Sequence, residues 1–328
     1  MMIWKKTKTS GMLLCLALCA ACSSDNDEPV VVQPPVTSYP LTIEVSENPL
    51  IPDGQEARGE TRAPITTTTT LTAFNLNYVY NETSTGSEEV EKEGGIWKVT
   101  NDEGWPIDAA SSNVEVTWYA STSGTFNLNG NNPYIDFTVE ADAADQKDLL
   151  VAKTSGKYLD YYTNGENVKS LSFTFDHACT ALKFYVKKAK NLGGYTLKVS
   201  SIVLKNVVNR GTYNYGSGEW TLGTNSDFTL LSTETTLSSD SYTLLNGNEE
   251  NSYLFMIPQK LTAWNPEQAL SDCYLEIKCN IIDGETSKYS GTAYIPFSAT
   301  FGKGNQYDVK INIGKNTLYS DQNTKIIN

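Results

Sequence analysis

The chain has 328 residues and a formal net charge of −13 at pH 7, with 39% hydrophobic residues. That acidity repels nucleic acid and anionic membrane surfaces, and no basic patch offsets it, so neither is expected as a partner. The length exceeds what one ordinary β-sandwich requires, and a single histidine leaves little for metal or acid–base chemistry.

Residues 1–21, MMIWKKTKTSGMLLCLALCAA, join Lys5, Lys6 and Lys8 to an apolar run from Met12 to Ala21 that is too short to span a bilayer. This is the pattern of a secretory signal. Ala20 and Ala21 ahead of Cys22 resemble the lipobox of bacterial lipoproteins, which implies cleavage before Cys22 and acylation of its thiol. Cys15 and Cys19 each follow a leucine, where such processing needs a small residue. Losing the signal removes three lysines and no acid, which moves the net charge from −13 to −16. Residues 22–37 are acidic and then Pro-rich, with too little apolar content to fold, and read as a tether. The acidic run resembles the export tag with which Bacteroidota send lipoproteins to the outer face of the outer membrane.

From Ser38 onward the pattern has period two, broken by Gly, Asn, Asp and Ser clusters, which predicts an all-β fold. Leu41, Ile43 and Val45 alternate with Thr42, Glu44 and Ser46 in a first strand. Phe74 to Tyr80, Val114 to Tyr119 and Tyr134 to Val139 follow, and Asp142 to Leu149 is read as a turn or two of helix. Next come Leu171 to Phe175, Leu182 to Val186, Leu197 to Leu204, Tyr253 to Ile257, Tyr274 to Ile282 and Ala293 to Phe297. The last clear strand places Tyr307, Val309, Ile311 and Ile313 on one face. The polar segment from Lys153 to Lys169 divides two expected domains, 38–155 and 156–328. Gly216-Ser-Gly218 and Gly302-Lys-Gly304 have no helix after them and read as hairpin turns, not phosphate loops.

Catalytic constellations are scarce, and no enzymatic activity, cofactor or metal is expected. His177 has only Asp176 near it in sequence; Cys179, two residues on, lies on the same strand face in apolar company, which suits packing better than nucleophile activation. Cys273 and Cys279 are too far apart along one strand to pair, so all three cysteines of the mature chain read as buried free thiols. Asp108 with Glu115, and Asp272 with Glu276, are carboxylate pairs of the kind that arise by chance in an acidic chain. Trp97, Trp105, Trp118, Trp220 and Trp264 suit a β core better than an exposed platform for sugars.

Between the first two strands lies EARGETRAPITTTTT, residues 56–70, with Arg58 and Arg62 among glycine and threonine, the composition that proteases cut readily. A cut after Arg62 separates the first strand from its domain. What remains is an open sheet edge and a groove shaped for Leu41, Ile43 and Val45, which a strand of another chain can fill.

Several segments in order resemble the Bacteroidales fimbrillin family, the subunits of protease-activated (type V) fimbriae. They are Thr61-Arg62-Ala63, Gly95-Ile96-Trp97, Trp105-Pro106, DQKDLLVA at 145–152, FTFDHA at 173–178 with Leu182-Lys183-Phe184, Gly211-Thr212-Tyr213 with Trp220, and LFMIPQ at 254–259. The resemblance implies two tandem transthyretin-like Greek-key β-sandwiches and an outer-membrane lipoprotein precursor. It also implies cleavage by an arginine-specific protease, and assembly with other fimbrial subunits by strand exchange, in support of adhesion. On this chain the new N-terminus is expected at Ala63 after Arg62, with Gly59 after Arg58 as second choice. The donor is expected in the C-terminal region, either Tyr307, Val309, Ile311 and Ile313 or the tail with Leu318, Ile326 and Ile327. The arginines fit a stalk or tip subunit. The rival reading is a surface glycan-binding lipoprotein of the outer membrane.

Overall fold

The computed structural model describes residues 39–52, 71–100, 104–142, 145–245, 253–320 and 325–326. The described chain is nearly all β. One closed barrel runs in the order Ile43–Glu47, Leu171–His177, Leu150–Gly156, Val116–Ser121, Ala73–Tyr80, Ser84–Glu93 and Ile96–Val99, returning to Ile43–Glu47. Its strands pair antiparallel except at one place, where Ile43–Glu47 runs parallel to Leu171–His177.

Three further sheets form around a second core. Thr243–Leu244, Thr180–Lys188, Asn305–Ile313 and Ile51–Pro52 make one, with Leu254–Met256 also paired to Thr180–Lys188 and with Asn305–Ile313 parallel to Thr180–Lys188 along eight residue pairs. Asn225–Leu231, Thr196–Val208, Tyr274–Asp283 and Thr286–Pro296 make another, with Thr235–Leu237 also paired to Thr196–Val208. The third joins Trp220–Leu222, Arg210–Asn214, Asn132–Thr138 and Thr125–Asn129.

The apolar run DLLVA has a structural cause. Leu150 and Ala152 belong to the barrel core, whereas Leu149 and Val151 belong to the second core. A strand with a core on each face has no solvent side, so its residues are apolar in succession and not alternately. Val116–Ser121 is built the same way: Trp118 and Ala120 enter the barrel, and Tyr119 faces the second core. Leu171–His177 keeps strict alternation, with Leu171, Phe173, Phe175 and His177 buried and Ser172, Thr174 and Asp176 exposed. Immediately after it, Ala178 and Cys179 enter the second core.

The structure corrects some local readings. No helix occupies 142–149 among the described residues; Asp145 N–H donates to the Asp142 carbonyl in a turn, and the short helix lies instead at Ile107–Ser111. Ser84–Glu93, too acidic to read as a core strand, buries only Glu88 and Val90. It forms because it hairpins onto Ala73–Tyr80 through Asn81 and Glu82, both at positive φ as a tight hairpin turn demands. Gly216–Gly218 does turn a hairpin between Arg210–Asn214 and Trp220–Leu222. Gly302–Gly304 does not, because Ala299–Thr300 pairs with Lys260–Leu261 while Asn305–Ile313 pairs in a different sheet.

Candidate functional site

The site is the seat of the first strand. The strand proper runs Ile43–Glu47, two residues later than the alternation of Leu41 to Val45 suggests. Leu41 and Val45 are partly buried against the barrel core, and Ile43 is fully within it. Five residues pair with Leu171–His177, from Ile43 opposite Leu171 to Glu47 opposite Phe175. On the other side a single pair, Ile43 with Trp97, closes the barrel. The ladder is extended at both ends: Leu171 N–H donates to the Thr42 carbonyl and Asn48 N–H donates to the Phe175 carbonyl, each at 2.8 Å.

Outside the ladder the segment is fastened at several points. Trp105 N–H donates to the Tyr39 carbonyl at 2.9 Å, beside Gly104. Gly104 has φ +92°, and a Cβ there would lie 2.4 Å from the Tyr39 carbonyl oxygen, so the position demands glycine. Tyr39 packs edge-on against Tyr158 with ring centroids 4.8 Å apart. Thr42 shares a hydrogen bond with the Tyr162 hydroxyl, Ser46 with Thr174, and the Asn48 side chain donates to Asp176 at 2.6 Å. Past Leu50, which is buried, Ile51–Pro52 adds to Asn305–Ile313 in parallel, and Ile51 N–H donates to the Gly304 carbonyl.

His177 lies where this segment and two others pass from one core to the other. Its Nδ1 is hydrogen-bonded to the carboxylate of Asp148, and its Nε2 lies 3.3 Å from Glu47 Oε1. The imidazole is buried, while Glu47 is about a quarter exposed. Burial alone would lower the pKa of His177; the carboxylates of Asp148 and Glu47 outweigh it and hold the ring up to about 9. At neutral pH the ring is therefore an imidazolium between two acids. Asp176, the one acid beside His177 in sequence, points outward to Asn48. The usable signal was the alternation itself: His177 falls on the inward face with Phe173 and Phe175, and a buried ring nitrogen needs a partner. Asp148, at the head of DLLVA, supplies one.

The fimbrillin-like family profile matches residues 61–326. The chain belongs to the fimbrillin-like family. Among solved structures it is similar to a fimbrial protein from Bacteroides vulgatus, at 18% identity over 73% of this chain and 89% of that one, with a TM-score of 0.46. It is similar also to a fimbrial assembly protein from Parabacteroides distasonis, at 10% identity over 76% of this chain and 86% of that one, with a TM-score of 0.38. No curated protein matches the chain.

In this fimbrillin-like chain Cys22 and the connector residues Arg58, Gly59, Arg62 and Ala63 lie outside the described residues, as does Ile327. Ile311, Ile313 and Leu318 are buried in the second core, with Tyr307, Val309 and Ile326 partly buried against it. The tail turns back beside Thr286–Pro296, where Tyr319 and Tyr294 exchange both backbone hydrogen bonds at 2.9 and 3.0 Å. Trp97, Trp105, Trp118 and Trp264 are buried, and the half-buried Trp220 donates its indole N–H to the Ala178 carbonyl. Asp108, Glu115 and Asp272 face solvent and Glu276 is half-buried. Cys179, Cys273 and Cys279 are free and buried; burial raises each thiol, Cys273 and Cys279 to about 12, which makes them inert. Among the described residues no group of side chains is arranged to hold a metal ion, and no helix is long and apolar enough to cross a membrane.

Proposed function

We propose that the protein is a stalk or tip subunit of a cell-surface fimbrium, made as a lipoprotein precursor acylated on Cys22 and activated by cleavage after Arg62. One observation carries this reading: among the described residues the strand preceding the arginine connector is the link that closes the barrel, and it does so through a single residue pair on one side. Its loss would leave the edge of Leu171–His177 and the edge of Ile96–Val99 facing an apolar slot. An open edge beside buried apolar positions is a template for a strand of another chain. Family membership supports the same reading.

Removal of the segment up to Arg62 also takes away Ile51–Pro52, the parallel neighbour of Asn305–Ile313. We read the two cores as those of two sandwich domains in tandem, and this segment, like Val116–Ser121 and Leu150–Gly156, serves both. We take the tail from Leu318 as the donor: Asn305–Ile313 is fixed along eight pairs in the second core, whereas among the described tail residues the bridge to Thr286–Pro296 is at Tyr319, beside the buried Leu318. The donor strand of one subunit then fills the slot of the next, and the polymer is held without covalent links by main-chain hydrogen bonds worth about 1 kcal/mol net each and by apolar side chains in the groove.

The test is to replace Arg58 and Arg62 together with alanine. Expected is a folded, lipidated monomer that stays out of polymer, read by fractionation of native cells. Polymers of ordinary length from that variant would overturn the cleavage step.

A further inference from the structure

Ile43, Val45 and Glu47 share one face of the first strand, because side chains alternate with period two. Ile43 and Val45 point into the barrel core, and the third position of that face brings a carboxylate to within 3.3 Å of His177 Nε2. The other ring nitrogen is already committed to Asp148. The slot therefore ends in a buried cation whose second partner is supplied by the strand that fills it. Among the described residues no other charged group is found against the ring: Asp176, next to it in sequence, faces away and accepts from Asn48.

We propose that His177 reads the strand seated in this slot, so that any replacement strand must carry an acidic residue two places beyond its second inward apolar anchor, where Glu47 now sits. This rests on the strand-exchange reading for its partner, a strand of another fimbrial subunit running parallel to Leu171–His177 with the pattern apolar, any, apolar, any, acid. A neutral residue at the last place leaves a buried charged donor with half its partners, and a lysine sets like charges together. Neither C-terminal register of this chain meets the rule: Ile311 and Ile313 are followed two places on by Lys315, and Asp321 stands two beyond Tyr319 but has Thr317 at the first anchor, so the fitting strand is sought on a different subunit.

The experiment has two arms. In the intact chain, His177 is the only histidine, so its ring protons report one titration by NMR. Glu47→Gln should lower that pKa from about 9 by roughly one unit or more, since an opposite charge at this range typically moves it that far. An unchanged titration would show that Glu47 does not hold the ring, and the proposal would fall. In the second arm, the chain cut in its connector by an arginine-specific protease is offered labelled peptides of residues 41–50 carrying Glu, Gln or Lys at position 47. The Glu peptide should be retained about tenfold longer than the Gln peptide at pH 7, the Lys peptide least, and the Glu–Gln difference should vanish above pH 10. Equal retention of Glu and Gln peptides would overturn the reading by His177 while strand exchange stands. Entry by none of them would overturn strand exchange, and with it the rule for partners.

Discussion

At the scale of single residues, His177 makes stability depend on pH in a defined direction. Its folded pKa, about 9, lies above an unfolded value near 6.5, so its contribution is fully present below about pH 6.5 and is lost as pH rises through about 9. The ceiling on that contribution is ~3 kcal/mol. Urea midpoints of the wild type should fall between pH 6.5 and 9.5, and those of Glu47→Gln should fall less; a flat wild-type profile would show that the ring is not charged in the fold. Gly104 supplies the second residue-scale test. An alanine there faces both a positive φ and the Tyr39 carbonyl, and should cost ~1–3 kcal/mol. Because the clash is with the first segment, hydrogen exchange should quicken first at Trp105, whose N–H is bonded to Tyr39, and not in the second core.

At the scale of elements, the first strand is a short piece of chain with one wholly buried side chain and partly buried neighbours. Ile43→Ala should lower stability by ~2–4 kcal/mol, measured by denaturant unfolding, because Ile43 packs in the core where the barrel closes. A smaller effect would mean that the barrel stands without this strand. The strands themselves were legible wherever one face met a core and the other met water, as in Leu171–His177 and Tyr274–Asp283. Ser84–Glu93 was not, since its partner and not its own apolar content holds it in place. Nor was the two-core character of DLLVA: a strand buried on both faces looks like any apolar run until its neighbours are known. The candidate site was half legible. Alternation marked Ile43 and Val45 as inward and pointed to the connector, but contacts such as Glu47 with His177 span about 130 residues of sequence and depend on which strands pair, which no local pattern encodes.

At the scale of the whole molecule, the segment from Tyr39 to Pro52 touches both cores, first in the barrel ladder and then beside Asn305–Ile313. Its departure would loosen each, which suits a subunit that is stable as a precursor and receptive after cleavage. Among the described residues of the C-terminal tail, Tyr319 is bridged to Tyr294 and Leu318 is buried in the second core. Deleting Leu318 to Asn328 should leave a folded subunit that incorporates poorly into polymer, read as the polymer-to-monomer ratio on native cells; unchanged incorporation would place the donor elsewhere. The central claim is that the first strand leaves. The most direct measurement is the N-terminal residue and intact mass of the protein recovered from native cells, with polymer separated from monomer. The account predicts Ala63, or Gly59, at the N-terminus of every polymerised subunit, and acylated Cys22 only on the precursor. Polymer whose subunits all begin at acylated Cys22 would contradict it.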